Sequence, residues 1–112
     1  MAGKQKLNKS EKKLKSGRVV VIKEIPIDTI DELKDIPEIY FYGDDQKTIK
    51  NVNKAQTAWL RNGLGGGDFE GWKPNGSLTP DSVIRQLSDE ERAELVALIQ
   101  KEQQLLPTKP SN

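Results

Sequence analysis

Residues 18–42 run RVVVIKEIPIDTIDELKDIPEIYFY, and their reading decides the fold class. Val19-Val20-Val21-Ile22 is β-branched throughout, and Ile25 and Ile27 continue one alternate face, the pattern of a strand laid on a core. Pro26 has no backbone N–H to donate, so the strand ends there or lies at a sheet edge. Asp28 or Thr29 is placed to cap a short helix through Lys34, with Asp31 in its first turn. Pro37 pushes the residue before it out of the α region and closes that helix. A second strand, Glu38 to Tyr42, follows at once and stops at the turn cluster Gly43-Asp44-Asp45. The connection 28–37 is so short that it speaks against parallel pairing of the two strands.

Downstream, the pattern turns helical. From about Gln46 to Asn62, Ile49, Val52, Gln56, Trp59 and Leu60 share one side at 100° per residue. Lys47, Lys50, Lys54 and Arg61 share the opposite side, with Gly63 placed as the C-cap. Residues 63–77 read as a Gly-rich loop carrying Phe69 and Trp72. Thr79-Pro80 opens a short helix by the cap-then-proline rule, with Val83, Ile84 and Leu87 on one face. Ser88 and Glu91 form a capping box for a last helix, whose stripe is Leu95, Leu98, Ile99, Leu105 and Leu106. The expectation is an α+β domain over 18–106: a small two-stranded sheet, or a three-stranded one, backed by three to four helices. Pro107 and Pro110 end the last helix and leave 107–112 as a disordered C-terminal end.

Upstream, residues 1–17 read as a disordered basic tail. Leu7 and Leu14 are its large apolar residues beyond Met1, too few to hold a helix against the cost of ordering it. Seven cations (Lys4, Lys6, Lys9, Lys12, Lys13, Lys15 and Arg18) against Glu11 give residues 1–18 a net charge of +6. The 112-residue chain totals +1, which leaves −5 for the remainder.

Composition excludes much chemistry. Charged residues make up 31% and mean hydropathy is −0.71, a thin apolar supply for one modest core. There is no cysteine and no histidine. Disulfides, thiolate catalysis and cysteine-based zinc sites are therefore out, and so are the commonest general base and neutral metal ligand. No catalytic residue, metal ligand or cofactor is expected, and the chain is not expected to be an enzyme. No stretch approaches the roughly 18 apolar residues of a membrane helix. Val19–Ile22 is too short for a signal segment. A cytoplasmic protein without a membrane partner is the expectation.

Two motifs invite a catalytic reading. Tyr42-Gly43-Asp44-Asp45 resembles the metal-holding turn of RNA-dependent polymerases. That resemblance covers four residues, and a polymerase palm is far larger than this chain, so Asp44 and Asp45 read as helix-capping acids. The glycine run lacks the strand-before, helix-after setting of a phosphate loop, and Asp68 and Glu70 beside it would repel phosphate.

Binding is the better reading. The tail has the electrostatic footprint of an arm lying on nucleic acid. Its six lysines supply point charges without bidentate base reading, so such contact would be sequence-nonspecific. Lys47, Lys50, Lys54 and Arg61 could track a phosphate backbone alongside it. An acidic protein surface would serve the tail equally well. Tyr40 and Tyr42 on the strand, with Phe69 and Trp72 in the loop, are candidate partner contacts. Two functions follow: an accessory or regulatory protein on nucleic acid, or a structural or adaptor subunit of a larger protein assembly whose tail and loop order on their neighbours.

Overall fold

The computed structural model describes residues 11–42 and 46–105. The side chains of residues 38–50 and of Leu105 are outside what it describes. The readings made above for Lys4, Lys6 and Lys9, for the turn 43–45 and for residues 106–112 therefore lie outside the described residues.

Strand formation begins earlier than the sequence pattern predicts. Glu11–Lys13 forms β1 and Val19–Ile22 forms β2, paired antiparallel with Glu11 opposite Val21 and Lys13 opposite Val19. The intervening turn is closed by the Leu14 N–H donating to the Arg18 carbonyl at 2.8 Å. Gly17 turns the chain there at φ 98, where a side chain would be strained. Leu14 is buried at 2% exposure. Residues 11–17 are thus part of the fold, which corrects the tail boundary. Strand pairing and one buried leucine supply the ordering energy that two isolated leucines lack.

α1 spans Ile27–Lys34 and follows directly on Pro26, with no side-chain hydrogen bond capping it. The expected Asp28 or Thr29 cap is replaced by proline, whose fixed φ suits a helix entry. β3 (Glu38–Tyr42) and β4 (Gln46–Lys50) form a second, two-stranded antiparallel sheet, with Glu38 opposite Lys50 and Tyr42 opposite Gln46. The two strands flanking α1 therefore belong to different sheets and do not pair.

The predicted helix over 46–62 is in fact strand β4 followed by α2 (Val52–Gly63). Asn51 separates them in the left-handed region at φ 64, a conformation asparagine tolerates better than most residues. The helical periodicity ran through Asn51 because Ile49 falls on the wheel with Val52, although its backbone bonds go to β3.

β5 (Leu64–Gly67) pairs antiparallel with β2 and completes a three-stranded sheet in the order β1-β2-β5. Part of the expected glycine connector is thus a strand. At Gly67, with φ 128, a Cβ would collide with the Val19 carbonyl oxygen, so glycine is required for the close approach. Gly63 is likewise not a left-handed cap. A Cβ there would sit 2.5 Å from Ile99 Cγ2, so its bareness lets two helices touch.

α3 (Asp81–Ile84) and α4 (Asp89–Leu105) complete the α+β fold, which among the described residues has a three-stranded and a two-stranded antiparallel sheet with four helices. Thr79 does not cap α3. It is fully buried and donates its hydroxyl to the Leu64 carbonyl, tying the loop to β5. The Ser88 capping box is present: Glu91 N–H donates to Ser88 Oγ at 3.0 Å and Ser88 N–H to Glu91 Oε1 at 2.9 Å. Val20 and Ile22 of β2, Leu33 of α1, Leu60 of α2 and Leu95 and Ile99 of α4 meet in one core.

Candidate functional site

Among the described residues the predicted cations fall into four groups. Arg18 and Lys12 are engaged inside the fold. Arg18 Nε donates to Glu91 Oε2 at 3.0 Å, Nη1 to the Asp68 carbonyl at 2.6 Å and Nη2 to the Gln86 carbonyl at 3.0 Å. Its guanidinium also lies 4.9 Å from the centroid of Phe69, which packs edge-on to Trp72 at 5.5 Å. Arg18 is thereby a clasp holding the 68–72 loop to α4, with few donors left for a phosphate. Lys12 Nζ pairs with Glu102 at 3.3 Å.

Lys13, Lys15 and Lys54 are exposed. Arg61 pairs with Asp81 and donates to the Thr79 carbonyl, and the pair lowers the Asp81 carboxyl below its ordinary range. Lys47 and Lys50 lie on β4, so the basic stripe is not a helix face. Its members sit on a strand and a helix, with Asn51 between them.

The predicted aromatic contacts divide similarly. Tyr40 and Tyr42 lie on β3 at registers opposite Thr48 and Gln46. Phe69 and Trp72 are partly buried against the core.

Residues 11–18 also lean on the acids of α4. The Lys15 N–H donates to the Glu94 carboxylate and Ser16 Oγ to Glu91 Oε2 at 2.6 Å. Hydrogen bonds from the Ser16 hydroxyl and the Ser88 N–H, then the Arg18 guanidinium, hold the Glu91 carboxyl down at about 2. Lys12 and Arg18, two of the seven cations of residues 1–18, are thus paired with acids of α4 within the molecule rather than offered to a partner.

A different site emerges from the packing. α1, α2 and the last turns of α4 leave a groove of about 470 Å³. Ile27, Ile30, Leu33 and Lys34 form one wall, at helical spacing on α1. Trp59 of α2 forms the floor, and Gln100, Gln103 and Gln104 of α4 form the far wall, with Pro37 at one end. Leu33 and Trp59 are buried at 4% and 5% exposure, whereas Ile27 at the mouth is 67% exposed. Asp28, Asp31 and Glu32 stand exposed on the same helix, with Asp35 exposed at its C-cap, but Lys34 is the charged residue that lines the groove.

Sequence reasoning misses this groove because Ile27 also continues the alternate face of the strand before it. The spacing of Ile27, Ile30 and Leu33 at i, i+3 and i+6 was the available signal. Gln103 fixes the far wall: it accepts from the Ile25 N–H at 2.9 Å and donates to the Lys23 carbonyl at 3.0 Å. Among the described residues, no group of three or more acids, histidines or cysteines is arranged to hold a metal ion. No helix among them is long and apolar enough to cross a membrane. Comparison with family models, with curated proteins and with solved structures finds no match to this chain.

Proposed function

We propose that this chain is a non-enzymatic adaptor that seats an apolar, basic segment of a protein partner in the groove between α1, α2 and α4. The observation that carries this reading is Ile27, 67% exposed at the mouth of a groove floored by Trp59. Covering that isoleucine contributes roughly 1–2 kcal/mol of favourable transfer. Asp28, Asp31 and Glu32 of α1 and Asp35 at its C-cap stand outside the groove lining, where their summed field outweighs Lys34 and favours a cationic segment over an anionic one. A groove with apolar walls and a few amides is suited to an amphipathic segment in the helix-in-groove manner. The lack of cysteine fits a cytoplasmic setting for such an adaptor.

The probe is an amphipathic leucine–lysine peptide, with its leucine–glutamate counterpart as control. Titration should shift the Ile27, Ile30 and Leu33 methyl resonances saturably with the lysine peptide, and Ile27→Asp should abolish the shift. Equal binding of the glutamate peptide, or shifts spread away from the groove, would overturn the reading.

A second reading keeps nucleic acid as the partner, favoured by the exposure of Lys13 and Lys15 on the arm. These, with Lys4, Lys6 and Lys9, would give weak, sequence-nonspecific contact that falls steeply with salt. Oligonucleotide affinity unchanged between low and moderate salt would remove it.

A further inference from the structure

Asparagine followed by glycine occurs twice in this chain, as Asn62-Gly63 and as Asn75-Gly76. Such a pair is chemically labile, because the glycine amide nitrogen can close on the asparagine side-chain carbonyl with no Cβ in its way. Closing that ring consumes the glycine N–H, so any hydrogen bond the N–H makes has to break first. The fold puts the two pairs in opposite settings.

Asn62-Gly63 ends α2, where helical geometry commits the Gly63 N–H to the carbonyl four residues back. Asn62 Nδ2 donates to the Ala58 carbonyl at 2.9 Å, which turns the side chain back along the helix and away from Gly63. Gly63 is buried, and Ile99 fills the space where its Cβ would stand.

Asn75-Gly76 lies between β5 and α3, outside both elements, and both residues are exposed. Nothing stands within 4 Å of a Cβ built at Gly76, whose φ of 88 belongs to the left-handed region. The Ser77 N–H donates to Asn75 Oδ1 at 3.0 Å, folding the side chain over the peptide bond that follows it. That bond also draws electron density from Asn75 Cγ, the atom the glycine nitrogen has to reach. Lys23 Nζ donates to the Ser77 carbonyl at 3.2 Å and so holds the turn in this shape.

We propose that Asn75 is a modification site at which the folded chain deamidates, with water as the co-reactant, while the fold protects Asn62. The Gly76 nitrogen gives its proton to hydroxide and forms a bond to Asn75 Cγ. The Cγ–Nδ2 bond breaks, and the departing nitrogen takes a proton from water and leaves as ammonia. Water then opens the cyclic imide at either carbonyl. One opening leaves aspartate, and the other leaves isoaspartate, whose main chain runs through Cβ. Both products add a negative charge to the loop. Aspartate keeps an oxygen for the Ser77 N–H, whereas isoaspartate lengthens the segment that leads to Thr79 and its anchor on the Leu64 carbonyl.

The test incubates the full chain at mildly alkaline pH, in native buffer and in denaturant. Tryptic cleavage after Arg61 and Arg85 yields one fragment, 62–85, that carries both asparagines, because Pro74 blocks cleavage after Lys73. Fragment-ion masses locate each new acid, and a sample digested before incubation corrects for conversion during digestion. In native buffer Asn75 should convert at least about tenfold faster than Asn62, a barrier difference of about 1.4 kcal/mol. In denaturant Asn62 should approach the rate of Asn75. A native ratio short of this would overturn the proposal, and so would conversion at residue 75 that starts only on unfolding. Gly76→Ala should slow the reaction at residue 75, since a Cβ then hinders the nitrogen. An unchanged rate would mean that water hydrolyses the amide directly, and the proposed route would fall.

Discussion

Two basic stretches of this chain look alike as charge patterns and behave oppositely in the fold. Residues 11–18 carry lysines and an arginine that read as a free arm, yet they form β1 and its turn and bind the acids of α4. Residues 47–61 carry cations that read as one helix face, yet β4 and α2 divide them at Asn51. Cations group into a functional surface when one element carries them and no internal acid claims them. The first stretch fails the second condition. The other fails the first, and Arg61 fails both, since Asp81 holds it.

The contrast can be broken most sharply at Glu91, which accepts hydrogen bonds from Ser16, Arg18 and the Ser88 N–H. Glu91→Gln leaves the Arg18 charge half-buried and unpaired, and should cost about 3–4 kcal/mol in chemical denaturation. A loss under 1 kcal/mol would mean that the arm is not anchored by charge.

Leu14→Ala tests the apolar side of the same anchor. It should cost about 2–3 kcal/mol, as for other buried leucines. A free arm would leave stability unchanged.

Acid supplies a third measure. The Glu91 carboxyl titrates in the fold at about 2 against an ordinary 4.5, so its contribution is complete above the ordinary value and lost as pH falls through the folded one. Wild-type stability should therefore decline by about 3 kcal/mol more than that of Glu91→Gln between roughly pH 5 and pH 2.

At the other stretch the effect should be smallest. Lys54 is exposed on α2, and Lys54→Ala should move stability by no more than about 0.5 kcal/mol. A larger loss would restore the idea that these cations act as one stabilised surface.

The local signals that were read correctly share a feature: their partners lie within a few residues. Val19–Ile22 and Glu38–Tyr42 announce strands by β-branched and aromatic residues. The Ser88–Glu91 box satisfies its own backbone donors. The misreadings concern groups whose partners are distant in sequence. Gly63 reads as a cap until Ile99 is seen against it, and Thr79 reads as a cap until the Leu64 carbonyl takes its hydroxyl. The groove was similarly illegible, because its wall, floor and far side come from three helices.

The sequence by itself therefore determined the α+β class, the two strands around α1, the start of α4 and the exclusion of histidine and cysteine chemistry. These follow from local propensity and composition, which need no tertiary partner. Tertiary structure alone decided that Leu64–Gly67 is a strand, that Arg18 and Lys12 face inward, and that Ile27 stands at the mouth of a groove. Each of those rests on a contact between residues tens of positions apart, and pairing over such distances is set by packing and hydrogen-bond satisfaction across the whole chain.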